Sequence, residues 1–160
     1  MAIILPFLEK YSSGVRELIL PIQQIEFGVP VTIEDQPDLL EINNFYQRGK
    51  GNFWVAIEGE QVVGTIGLID IGHHSLALRK MFVHAAYRGK TSGIGKQLLD
   101  TALEWSRNNG IRKIYLGTVE QLVAARRFYE KNGFIEVAKN SLPDYFPRME
   151  VDTRFYMISL

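Results

Sequence analysis

The spacing of apolar positions changes repeatedly along this chain of 160 residues, and each change predicts an element. Residues 3–5 form a short apolar run stopped by Pro6, as in a strand. Val15, Leu18, Ile19, Ile22 and Ile25 then recur at helical spacing, with Ser12 or Ser13 as cap, a kink at Pro21 and a stop at Gly28. Leu39, Ile42, Phe45 and Tyr46 mark one face of a second helix, opened by Pro37 and ended near Gly49. The period next falls to two: Phe53, Val55 and Ile57 alternate with Trp54, Ala56 and Glu58. A turn at Glu58-Gly59-Glu60 returns the chain through residues 62–70, where Gly64 and Gly67 predict a bulge or a close approach by another backbone. A second turn at 71–75 leads into a central strand over 76–84.

Helical spacing resumes at Ile94, Leu98, Ala102 and Trp105, behind a cap at Thr91 or Ser92, and Asn109-Gly110 ends this helix. A strand over 113–118 follows a helical crossover, so it should run parallel to the central strand. A short helix over 122–131 stops at Asn132-Gly133. Closing strands are predicted at 134–138 and 151–158, around a loop at 140–150 rich in proline and aromatic residues. The order β-α-α-β-β-β-α-β-α-β-β describes a single α/β domain with a mixed sheet over residues 1–160.

Composition narrows the chemistry. Lys plus Arg (18) balance Asp plus Glu (18), so no bulk charge favours nucleic acid or an anionic membrane. Without cysteine there is no disulfide framework, no thiolate nucleophile and no Cys-ligated metal, which suits a reducing cytoplasmic setting. The apolar start lacks a basic leader region and meets Glu9 early, so a buried first strand is expected rather than a signal peptide.

The most informative stretch joins the central strand to the long helix. Met81, Phe82 and Val83 end at His84, and a loop follows through Arg88, Gly89, Lys90, Thr91, Ser92, Gly93, Ile94 and Gly95. A strand–glycine loop–helix junction gathers backbone N–H groups and the positive end of a helix dipole, which suits a phosphate or diphosphate. Arg88, Lys90 and Lys96 add positive charge there. The P-loop pattern fails because Lys96 is followed by Gln97, and the dinucleotide pattern fails because Leu98 stands at its third glycine.

What remains resembles the acyl-CoA loop of the GCN5-related N-acetyltransferases (GNAT), Arg/Gln-x-x-Gly-x-Gly/Ala. Lys90-x-x-Gly93-x-Gly95 fits the spacing; alternatively Arg88 leads and Thr91-Ser92 lengthen the loop, which keeps Val83 five residues before the lead. A second stretch, Ala125-Arg126-Arg127-Phe128-Tyr129-Glu130-Lys131-Asn132-Gly133-Phe134, is similar to the family's A-x-x-x-Y-E-K-x-G-F. Leu122 stands where the family often has a cofactor-binding Asn, so that contact should be absent or moved to Thr118 or Gln121.

The resemblance implies the GNAT fold and direct transfer of acetyl from acetyl-CoA, without metal, to the amine of a small molecule or peptide. It also makes a homodimer reasonable. Backbone groups of Met81, Phe82 and Val83 would pair with the thioester and pantetheine. A main-chain N–H aimed at the developing oxyanion is worth roughly 3–4 kcal/mol in comparable sites. The loop residues, Thr118 and Ala125 complete the implied cofactor set. Tyr129 matches the family's acid for the departing thiolate, and Glu26, Asp70, Glu120 and Asp144 are candidate bases, with Glu26 preferred. Walls at 22–33 and 140–150, with Glu26, Phe27, Asp144, Tyr145 and Phe146, would suit a small cationic amine; a peptide N-terminus or an amino-acid-like molecule fits nearly as well. His73-His74 is expected to be an exposed hairpin tip. The alternative is an acyl-CoA sensor that does not turn over.

Overall fold

The computed structural model describes residues 2–89 and 92–160. Seven strands form one sheet: β1 (Ile3–Pro6), β2 (Asn52–Glu58), β3 (Gln61–Gly72), β4 (Ser75–Val83), β5 (Lys113–Thr118), β6 (Ile135–Val137) and β7 (Arg154–Ser159). Their spatial order is β1-β2-β3-β4-β5-β7-β6. Every neighbouring pair is antiparallel except β4 and β5, which the crossover helix makes parallel. The mixed sheet predicted from the pattern is observed, and so is the element order except that the second helix is split in two.

Alternation along β2 divides the core. Phe53 and Val55 point to the face covered by α1 (Ser12–Pro21), α2 (Pro37–Leu40) and α3 (Ile42–Tyr46), while Trp54 and Ala56 point to the face covered by α4 (Ile94–Asn108) and α5 (Val123–Lys131). Pro21 ends α1, and the chain continues as a widened π turn, Ile22–Glu26, closed by Phe27 N–H donating to Ile22 O at 3.1 Å. Neither Ser12 nor Ser13 is the cap; Tyr11 holds that position without a side-chain bond. The predicted second helix is broken into α2 and α3 at Glu41, whose backbone leaves the helical region.

β3 and β4 carry the irregularity that shapes the site. Thr65 pairs with Phe82 and Gly67 with Arg79, so β4 holds one residue more than β3 between them. That bulge places Lys80 at φ 54°, and the Thr65 hydroxyl donates to its carbonyl at 2.7 Å. Gly67 is required by side chains rather than by a backbone: a Cβ there would stand 2.9 Å from both Tyr46 and Phe53.

Candidate active site

β4 and β5 are joined only at Ser75–Lys113, Leu76–Ile114 and Ala77–Tyr115. Beyond those pairs the two strands part, while β5 stays paired with β7 on its other edge as far as Thr118–Arg154. The divergence opens a cleft of about 160 Å³. β4 contributes Leu78 to Phe82, β5 and the following turn contribute Leu116 to Val119, and α5 contributes Ala125 and Tyr129. Gln23, Phe27 and Gln36 close one end; Phe146, Pro147, Met149, Val151 and Asp152 close another. A larger hollow of about 440 Å³ lies between α1 and the β2–β3 turn and reaches His84, away from this parting of strands.

At the mouth, the chain leaves β4 through a tight turn, Ala85–Tyr87, capped by His84 Nδ1 accepting from Ala86 N–H at 3.1 Å. Gly93 is the N-cap of α4 at φ 64°, a conformation that favours glycine, and no side chain caps the helix. Ser92 is therefore not the cap; its hydroxyl donates back to the carbonyls of Tyr87 and Gly89. Gly95 lies in the first turn of α4 facing Phe128 and Val83, and Ile94 is buried in the core. Lys96 is exposed and pairs with Asp100 at 2.5 Å. The roles expected of Lys90 and Thr91 fall outside the described residues.

Arg88 and Glu26, 62 positions apart in the chain, are brought together by the fold. The Arg88 guanidinium grips the Glu26 carboxylate with both terminal nitrogens, Nη2 to Oε1 at 2.8 Å, while its Nε donates to Val83 O at 2.7 Å. This bond and the guanidinium charge hold the Glu26 carboxyl below its ordinary range. A carboxylate so engaged is a poor proton acceptor, and the grip turns Arg88 toward the π turn.

Two of the other candidate bases are committed elsewhere, and none of the three lines the cleft. Asp70 accepts N–H bonds from Lys50 and Gly72, Glu120 pairs with Arg154, and Asp144 lies exposed on its loop. Of the residues expected to wall the acceptor, Phe27 and Phe146 line the cleft, whereas Glu26, Asp144 and Tyr145 do not. Tyr145 stacks on His73, centroids 4.0 Å apart, so the hairpin tip, exposed as expected, touches the 140–150 loop. Phe146 packs on Tyr115 and Phe155.

The carboxylate that does enter the cleft is Asp152. It lies against Gly117 of β5, where any Cβ would collide with the carboxyl group. Burial pushes the Asp152 carboxyl up to about 6, against the pull of Arg79 and Lys80. A glycine inside a strand signals close approach by another group. Gly117 was thus the sequence signal for Asp152, though not for which residue would arrive.

Tyr129 projects from α5 into the same cleft, 6% exposed, its ring held edge-on by Phe128 and Phe134 with centroids 6.0 and 5.6 Å away. Burial, and secondarily the Asp152 charge, raises the phenol well above its usual range, so it stays protonated. Thr118 lines the cleft while its carbonyl accepts from Thr153 N–H at 2.9 Å; Leu122, in place of the expected Asn, offers only apolar surface.

Consecutive side chains of a regular strand point to opposite faces. At the β4 bulge Arg79 and Lys80 both line the cleft, and the charges of both act on Asp152. Lys80 Nζ stands 3.6 Å from the buried Asp38 carboxylate, which also accepts from the Tyr46 hydroxyl at 2.5 Å. Arg79 acts on Tyr46 and Asp152 and donates to Pro147 O at 3.3 Å. Burial draws the Lys80 ammonium below its ordinary range, with Asp38 opposing. Among the described residues, no group of three or more His, Cys, Asp or Glu is placed to hold a metal ion.

A parted parallel strand pair with a glycine loop and crossover helix at its mouth is the arrangement of the acyl-CoA N-acyltransferases. Residues 16–134 match the Acetyltransferase (GNAT) family, and the chain belongs to it. A GNAT-family acetyltransferase from Staphylococcus aureus is 40% identical, with a TM-score of 0.95 over 99% of both chains. An acetyltransferase from Streptococcus agalactiae is 30% identical at the same TM-score, covering 99% of this chain and 98% of the other. Rat N-acetyltransferase 8B is 34% identical over 118 residues, 70% of this chain and 50% of its own length. The N-acetylaspartate synthetase of Xenopus tropicalis is 36% identical over 102 residues, 62% of this chain and 37% of its own. The chain thus spans about half the length, or less, of these curated relatives.

Proposed function

We propose that this protein transfers acetyl from acetyl-CoA to the amine of a small molecule by direct attack, with Asp152 as base and Tyr129 as acid. The observation that carries this is the parting of β4 from β5, which leaves one cleft in contact with the β4 bulge, Asp152 and Tyr129. The diphosphate of the cofactor would rest on the Gly89–Gly95 turn and the start of α4, whose dipole favours an anion. Its pantetheine arm would run along Met81 to Val83 and past Thr118 and Ala125.

An acceptor amine near pKa 10 is mostly ammonium at neutral pH and must lose a proton before it attacks. Asp152, raised to about 6, is ionised at pH 7 yet closer in basicity to the amine than an exposed aspartate. The freed amine adds to the thioester carbonyl, the C–S bond breaks, and sulfur departs as a thiolate hydrogen-bonded to or protonated by the Tyr129 phenol. The new amide nitrogen loses its second proton to solvent. Overall an ammonium and acetyl-CoA become an acetamide, free thiol and one proton.

Thiol release measured across an amine panel tests this. Tyr129→Phe should lower kcat by about a hundredfold or more while leaving coenzyme A affinity unchanged. Tight coenzyme A binding without acceptor-dependent thiol release would instead support a sensor.

A further inference from the structure

The charges around the cleft point to the acceptor. Asp38 is committed to Lys80 and to the Tyr46 hydroxyl. That leaves Arg79 as the larger counter-charge to Asp152, in a cleft that both residues line. If Asp152 takes a proton from the acceptor, Arg79 loses that counter-ion at the moment of reaction. An unpaired charge in a partly buried cleft is costly. A cationic acceptor would worsen the imbalance by adding positive charge beside Arg79 and Lys80.

We propose that the acceptor carries a carboxylate beside its amine, as amino acids do, and that Arg79, supported by Lys80, is the residue that holds it. This rests on the catalytic assignment of the same cleft. With such an acceptor the charges balance before and after proton transfer: ammonium and carboxylate enter together, the proton moves to Asp152, and the carboxylate replaces Asp152 as partner of the guanidinium. The geometry suits this use. A guanidinium has five N–H donors, and the bonds of Arg79 to Pro147 O, at 3.3 Å, and to the Tyr46 hydroxyl leave others for a bidentate pair with a carboxylate. The Thr65 hydroxyl fixes the bulge that brings both cations to one side. The Gln23–Gln36 amide pair, bonded at 2.8 and 2.9 Å, closes the end of the cleft with neutral polar groups instead of the acids a cationic amine would need.

The test compares matched acceptors in the thiol-release assay: glycine, alanine, aspartate and glutamate against glycinamide, alaninamide, ethylamine and spermidine. Free carboxylates should show KM values lower by about tenfold or more than their amides. Arg79→Met should remove that difference by raising KM for the acids, with a smaller effect on kcat and none on coenzyme A affinity. Arg79→Lys should recover part of it. In parallel, calorimetry follows N-acetylated amino acids and their amides binding to the protein–coenzyme A complex. Carboxylate-dependent binding lost in Arg79→Met but without thiol release from any acceptor would sustain the carboxylate site and refute catalysis. Thiol release indifferent to the carboxylate, or best with spermidine, would overturn the carboxylate site and leave catalysis standing. Neither release nor carboxylate-dependent binding would overturn both.

Discussion

Asp152 shows how one side chain can cost stability and supply reactivity. Its folded-state pKa, about 6, lies above the ordinary 3.8, because burial disfavours the charged form. The folded state therefore binds the proton more tightly than the unfolded chain, and stability is lost as pH rises between those two values. The groups facing Asp152 are Arg79 and Lys80 from β4 and Tyr129 from α5; the two cations limit the shift without cancelling it. Asp152→Asn should raise stability by on the order of 2 kcal/mol at pH 7.5, with little gain near pH 4, in paired thermal or urea melts. The same variant should lose most activity. In the parent protein kcat/KM should rise from pH 5 to 7 with an apparent midpoint near 6, as Asp152 becomes ionised. A flat profile over that range would remove Asp152 from the role of base.

α4 and the turn before it are where the pattern and the structure agree most closely. The helix buries Ile94, Leu98, Leu99, Ala102 and Leu103 on the sheet, as its spacing requires. Its first turn must admit a ligand as well as pack. A Cβ at Gly95 would meet Phe128 at 3.7 Å and Val83 at 3.8 Å, ordinary contact distances, so packing alone does not demand glycine there. Gly95→Val should leave the melting temperature within about 3 °C while weakening coenzyme A binding by about tenfold or more, because the added methyls occupy the approach to the amides. Unchanged affinity would move the diphosphate away from this turn. Gly93 is a less clean probe: at φ 64° a β-branched residue is strained whether or not ligand binds.

Across the whole molecule, the cleft is a gap in a sheet that is otherwise continuous from β1 to β6. A cofactor seated there would bridge strands that the protein itself leaves unpaired. Coenzyme A at about a hundred times its dissociation constant should add about 2.7 kcal/mol, a rise in melting temperature of roughly 5–10 °C for a chain of this size. No shift at saturating coenzyme A would argue that the cleft does not take the cofactor.

Periodicity and turn residues determined the order of elements, the crossover that makes β4 and β5 parallel, and the glycine turn before α4, because all of these depend on neighbours close in the chain. Tyr129 was reachable through its motif. The Arg88–Glu26 grip joins residues 62 positions apart, and Asp152 reaches Gly117 from the far side of the 140–150 loop. The one-residue bulge that turns Arg79 and Lys80 together appears in the sequence only as an ambiguous pair of glycines. Charge balance in the cleft follows from which side chains are buried together, and that was decided only when the sheet closed around them.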